Sequence, residues 1–77
     1  MTDYIEIKLF ASLSEKTPKP SDRYPIDTGI TVRELIDQLA VPENEAKLIF
    51  INGRKGELTS ILKDGDRVGI FPPVGGG

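Results

Sequence analysis

Cysteine, histidine and tryptophan are all absent from this 77-residue chain. Without cysteine there are no disulfides, no thiolate chemistry and no cysteine-held zinc or iron–sulfur cluster. Without histidine the usual general base and the commonest metal ligand are missing. A Ser–His or Cys–His nucleophile cannot be assembled. Aromatic residues are few, two tyrosines and three phenylalanines. No run of one charge sign stands out: 10 basic and 12 acidic side chains are spread along the chain, for a net charge of −2. A phosphate-tracking surface, and with it a nucleic-acid partner, is not expected. The opening Met1-Thr2-Asp3-Tyr4 is not a basic stretch leading into a long apolar run. Neither a signal peptide nor a membrane span is expected, which leaves the cytoplasm as the default location. Length is also limiting. A chain this short forms one domain and buries only about 60% of its unfolded surface. It has room for one thin core and little for a deep catalytic pocket.

What is present reads as alternating strands and one helix. Residues 4–10 alternate, with Ile5, Ile7 and Leu9 on one side and Glu6 and Lys8 on the other, which predicts a half-buried strand. Phe10 ends that strand on its polar side. Residues 11–23, with Pro18 and Pro20, predict a loop with a helical turn near 12–16. Residues 23–27 predict a second strand, confined to an edge because Pro25 has no N–H to donate. Residues 31–40 carry the best helix pattern. Val32, Leu35, Ile36 and Leu39 form one apolar stripe. Thr31 and Glu34 have the spacing of a capping box, and Ile30 and Leu35 that of a hydrophobic staple. Pro42 is expected to stop the helix. One more short turn fits residues 42–47. Residues 48–51 (Leu-Ile-Phe-Ile) predict a strand. Asn52-Gly53 is a favoured two-residue hairpin turn, with a weaker return strand over 54–58. Asp64-Gly65-Asp66 predicts a turn into a last strand at 67–71, with Val68 and Ile70 on the core side.

Hairpin, helix, then further strands describe an α+β chain. The first and last strands are both strongly apolar and bury best side by side at the sheet centre. The expected architecture is a β-grasp, the ubiquitin-like fold: a mixed sheet of four to five strands with one main helix on one face. The expected division is a domain at residues 1–72 and a flexible C-terminal tail at residues 73–77.

The tail is the most informative segment. Pro72 and Pro73 favour a stiff extended backbone. Val74 is one apolar contact residue, and Gly75, Gly76 and Gly77 have no side chains. Five residues from Pro73 onward project about 15 Å when extended. Glycine lets a backbone pass between enclosing walls, so the tail suits entry into a narrow channel of another protein. Its sole reactive group is the α-carboxylate of Gly77, a poor electrophile that needs activation, most simply adenylation by ATP. The tail alone leaves a second reading open, that of a frayed or appended end.

The inferred fold, the Asp64-Gly65-Asp66 turn and the ending Phe71-Pro72-Pro73-Val74-Gly75-Gly76-Gly77 occur together. In that combination the chain resembles the MoaD/ThiS family of ubiquitin-like sulfur carriers, and within it the small-subunit type of molybdopterin synthase. Residues 62–77 carry the specific part of the resemblance, and Ile51-Asn52-Gly53 agrees with it. The resemblance implies a carrier with no catalytic residue and no bound cofactor or metal. A ubiquitin-activating-type adenylating enzyme would use ATP to adenylate Gly77. A sulfur donor protein would then supply the sulfur that displaces AMP and leaves a thiocarboxylate. A large molybdopterin synthase subunit would receive the tail and pass the sulfur to a pterin. Gly76 and Gly77 match the family's terminal Gly-Gly, and Gly75 its variable position. The alternatives are a carrier for thiamine or another sulfur-containing metabolite, a ubiquitin-like protein modifier, and a plain binding module.

Phe71 falls on the face opposite Val68 and Ile70, and Phe10 can share that face. Together with Pro72, Pro73 and Val74 they are the expected partner-docking residues. The alternative for the two rings is packing under the long loop. Asp64 and Asp66 are explained by turn chemistry rather than metal binding. Arg54 and Lys55 are expected to be solvated. Arg67 is either a solvated edge charge or a contact for an acidic groove on a partner.

Overall fold

Alternation at the start of the chain is realised as strand β1 (Thr2–Leu9), with Ile5, Ile7 and Leu9 buried and Lys8 exposed. The computed structural model describes residues 2–73. Of the tail expected at 73–77, only Pro73 is among them; Val74, Gly75, Gly76 and Gly77 lie outside the described residues. After β1 come a 3-10 segment (Ala11–Lys16), β2 (Tyr24–Asp27), helix α1 (Val32–Gln38), a second 3-10 segment (Glu43–Glu45), β3 (Leu48–Ile51), β4 (Arg54–Lys55) and β5 (Arg67–Phe71).

The five strands form one sheet in the order β2-β1-β5-β3-β4. β1 and β5 run parallel, with Ile7 opposite Val68 and Leu9 opposite Ile70. The other pairings are antiparallel. The sheet is therefore mixed, its last strand is central, and Pro25 lies on an edge strand, as the sequence predicts. Helix α1 covers one face. Val32, Leu35, Ile36 and Leu39 join Ile5, Ile7, Ile49, Val68 and Ile70 in one buried cluster.

The start of α1 follows its sequence signature. Thr31 Oγ1 accepts the Glu34 N–H (3.2 Å), and Glu34 Oε1 accepts the Thr31 N–H (3.0 Å). This capping box satisfies backbone donors that have no partner inside the helix. The end departs from expectation. The helix does not continue to Ala40, and Pro42 is not what stops it. Ala40 takes φ +60°. The Val41 N–H then donates to the Ile36 carbonyl (2.9 Å) and the Ala40 N–H to the Asp37 carbonyl (3.2 Å). That is a Schellman ending with alanine where glycine is usual. The return strand β4 is also shorter than predicted, two residues instead of 54–58. Beyond it, the Gly56 N–H still donates to the Ile49 carbonyl (2.7 Å).

The loop of residues 11–23 proves to hold a core residue. Leu13 of the first 3-10 segment is completely buried. Ala11 accepts φ +52° just before it, and the chain turns from the end of β1 into the core there.

Candidate functional site

The face of the sheet away from α1 is where an exposed surface forms. Pleating places alternate residues on it: Glu6 and Lys8 from β1, Arg67, Gly69 and Phe71 from β5, Leu48 and Phe50 from β3, and Lys55 from β4. Register arranges them in rows. Lys8, Gly69, Phe50 and Lys55 lie across four adjacent strands. Leu48 lies opposite Phe71 one row nearer the tail, and Glu6 opposite Arg67 one row away from it.

Three aromatic rings gather at the tail end of this face. Phe10 and Phe71 stack with centroids 4.1 Å apart and planes 1° from parallel. Phe50 meets Phe71 edge-on at 5.8 Å and 86°. Such pairs contribute about 0.5–1.5 kcal/mol beyond their area burial. All three rings remain half-buried, so they shelter one another on the open face. Glycine at position 69 leaves the surface beside the rings open: a Cβ added to it would stand 3.4 Å from Phe10 Cε2, an ordinary contact distance. Beside the rings lies a shallow concavity of about 420 Å³, lined by Phe10, Phe50, Phe71, Gly69, Lys8 and Arg67 among others.

Backbone bonds fix where the chain leaves the sheet. The Phe10 N–H donates to the Ile70 carbonyl (3.1 Å), and the Lys47 N–H to the Phe71 carbonyl (3.0 Å). Ile70 is thereby tied to the residue after β1, and Phe71 to the residue before β3. Half-buried Pro72 and exposed Pro73 follow and offer no N–H to continue pairing.

At the other end of β5, a side-chain lock joins two turns. Asn52 and Gly53 take φ +55° and +81° in the β3–β4 hairpin. Asn52 Nδ2 donates to Asp66 Oδ1 (2.9 Å), and Asn52 Oδ1 accepts the Arg67 N–H (2.9 Å). Asp66 Oδ2 accepts the Lys63 N–H (2.8 Å), and Asp64 Oδ1 accepts the Tyr4 N–H (2.8 Å). Both aspartates therefore act as turn and strand anchors, in line with the sequence reading. Among the described residues, no group of three or more carboxylates is placed to hold a metal ion.

The structure thus brings the predicted Phe10 and Phe71 into contact and places Pro72 and Pro73 directly after them. Val74, Gly75, Gly76 and Gly77 fall outside the described residues. Phe50 was not singled out as a site residue. Its signal was available, since Ile49 on the core side sends Phe50 to the open one.

A sequence model of the ThiS family matches residues 7–77. The chain belongs to the ThiS family. Its similarity to small archaeal modifier protein 1 of Haloferax volcanii is 31% identity, over 95% of this chain and 100% of that one. A solved Pyrococcus furiosus protein, assigned as molybdopterin converting factor subunit 1, is 30% identical with a TM-score of 0.62. That match covers 94% of this chain and 99% of the other. A complex of subunits 1 and 2 of the molybdopterin-converting factor from Helicobacter pylori contains a chain 25% identical, with a TM-score of 0.53 and full coverage of both. This ThiS-family protein therefore has the β-grasp fold and belongs among the ubiquitin-like carriers and modifiers, whose members are small non-catalytic proteins. Among the described residues no helix is long and apolar enough to cross a membrane.

Proposed function

We propose that this ThiS-family protein carries sulfur on its C-terminus and delivers it during molybdopterin synthesis. An ATP-using partner of the ubiquitin-activating type adenylates the Gly77 carboxylate and releases pyrophosphate. The terminal sulfur of a persulfide on a donor protein attacks the acyl carbon and AMP leaves, giving an acyl disulfide; a partner's thiol then cleaves the S–S bond, which leaves the tail as a thiocarboxylate and the two partner sulfurs as a disulfide. The tail then enters a second synthase subunit, as the name of the Helicobacter pylori complex suggests. The chain supplies no acid, base or metal to these steps, and with neither histidine nor cysteine it has the composition of a substrate rather than a catalyst. Docking falls to Phe10, Phe50 and Phe71, and threading to Gly75, Gly76 and Gly77.

The observation that carries this reading is the ThiS match running through residue 77 on a chain whose aromatic cluster adjoins Pro72. The test is intact-mass analysis after incubation with the adenylating enzyme of the same genome, ATP and a sulfur source. The expected result is replacement of one oxygen by sulfur, abolished by deletion of Gly76 and Gly77. Cofactor assembly supported equally well by the deleted chain overturns the reading.

The Haloferax volcanii relative, a modifier by name, favours a second reading in which Gly77 is joined to lysines of other proteins. In cells that chemistry gives high-mass conjugates carrying this chain, whereas sulfur carriage rescues a molybdopterin-deficient strain.

A further inference from the structure

The side-chain amides of the chain are those of Gln38, Asn44 and Asn52, and only Asn52 is followed by glycine. The backbone nitrogen of the residue after an asparagine is placed to attack the side-chain amide and close a succinimide ring. Glycine obstructs that attack least, because it has no side chain. Asn52 and Gly53 are both exposed, and a Cβ added to Gly53 would meet nothing within 4 Å. Among the described residues the Gly53 N–H donates to no acceptor, so the attacking nitrogen is unengaged. Asp64-Gly65 is the internal contrast, since aspartate closes the same ring. There the Gly65 N–H donates to the Tyr4 carbonyl (2.8 Å), and Asp64 Oδ1 accepts the Tyr4 N–H (2.8 Å). Both reacting groups of that pair are tied to β1. At Asn52-Gly53 only the side chain is tied.

The restraint on Asn52 is the pair of bonds its amide makes, Nδ2 to Asp66 Oδ1 and Oδ1 from the Arg67 N–H, each 2.9 Å. Ring closure requires the side chain to rotate until the face of the amide meets the Gly53 nitrogen, and that rotation breaks both bonds. The Asp66 carboxylate also opposes the negative charge that develops on the amide oxygen as the ring forms. Reaction therefore waits for local opening of the turn, an event that needs less free energy than global unfolding.

We propose that Asn52 is a site of spontaneous deamidation, gated by its hydrogen bonds to Asp66 and Arg67. When the turn opens, the Gly53 nitrogen, its proton lost to hydroxide, attacks Asn52 Cγ. The Cγ–Nδ2 bond breaks, and the leaving nitrogen takes a proton from water and departs as ammonia. Water then adds to either carbonyl of the imide and cleaves that carbonyl's bond to the Gly53 nitrogen, giving aspartate or isoaspartate. The balance is one water consumed and one ammonia released. Both products set a new carboxylate against Asp66, so the opened lock does not close again. Isoaspartate also adds a methylene to the main chain of the turn that fixes the β3–β4 register. The step is irreversible and needs no enzyme. The turn thus records the age of each molecule, and the Asp66 lock sets the pace.

The test ages the intact chain in neutral buffer, counts isoaspartate with an isoaspartyl methyltransferase and maps it by peptide mass spectrometry. Product should accumulate at Asn52 while Asn44 and Asp64 stay unchanged. Wild-type chain unfolded in urea should react roughly tenfold faster or more than the native chain. Asp66→Asn removes the acceptor of Asn52 Nδ2 and should raise the native rate roughly tenfold, with circular dichroism reporting a folded chain. Leu13→Ala, which weakens the core away from the turn, should react near the wild-type rate under conditions where it stays folded. The more acidic product, separated by anion exchange, should unfold at lower urea than its parent. Equal rates in native and urea-unfolded wild type overturn the gate, and that comparison needs no variant. A folded Asp66→Asn chain that reacts no faster than wild type also overturns it, as does a folded Leu13→Ala chain accelerated to the same degree. Absence of product at Asn52 in the unfolded chain overturns the site itself.

Discussion

Asn52 and Asp66 are 14 residues apart in sequence, yet their side chains lock the β3–β4 turn to the start of the central strand. Asn52→Asp replaces a donor facing Asp66 Oδ1 at 2.9 Å with a second carboxylate. A hydrogen bond to a charged acceptor contributes about 1.5–3 kcal/mol, and solvent access to this pair favours the lower value. Two like charges some 4 Å apart add about 1 kcal/mol in a water-like medium. The expected cost is therefore about 2–3 kcal/mol, or a fall in Tm of roughly 8–20 °C for a domain of this size. Asp66→Asn should cost somewhat less. The new amide must keep its oxygen toward the Lys63 N–H, so it turns its nitrogen toward Asn52 Nδ2. Combining the two changes exchanges donor and acceptor. The carboxylate at position 52 accepts both the new amide and the Arg67 N–H, and net charge is conserved relative to the wild type. The double variant should recover to within about 1 kcal/mol of wild type, a coupling of at least about 2 kcal/mol in the mutant cycle. Urea unfolding with an unchanged slope is the measurement. Equal or additive loss in the double variant would refute the lock.

Three further outcomes are expected. Leu13→Ala should destabilise by about 2–5 kcal/mol in denaturant unfolding, as for a fully buried leucine, despite its place in a proline-rich loop. Ala40→Gly should raise stability by up to about 1 kcal/mol, because glycine adopts the left-handed conformation of this helix ending without a Cβ clash. Phe71→Ala should remove both ring contacts, cost about 1–2 kcal/mol of stability, and slow thiocarboxylate formation at limiting adenylating enzyme; unchanged charging kinetics would count against the aromatic face as a docking surface.

The sequence exposes features whose cause is local. The Thr31–Glu34 box, the Asn52-Gly53 turn and the period-two strands β1 and β5 each carry their signal within a few residues, and the structure bears them out. Pro25 on an edge follows equally directly, from a missing donor. The features that escaped depend on partners far along the chain. Nothing near Asn52 announces Asp66. The end of α1 is set by a left-handed alanine, a conformation that propensity assigns to glycine, so attention falls on Pro42 instead. Leu13 looks like a lone apolar residue in a loop until the end of β1 is seen to turn beneath it. The Phe10–Phe71 pairing was legible because parity alone places both rings outside the core. Phe50 was missed because a continuous apolar run conceals which of its residues face out.

The parallel pairing of β1 with β5 has a consequence for biosynthesis. The strand that completes the sheet is the last to be made, and the first strand has no central neighbour until it arrives. A nascent or truncated chain ending before residue 67 leaves Ile5, Ile7 and Leu9 uncovered along one edge and open to misassociation. Contacts this distant in sequence also slow folding. The order of synthesis thus leaves closure of the sheet to residues 67–71, the strand that fills the gap between β1 and β3.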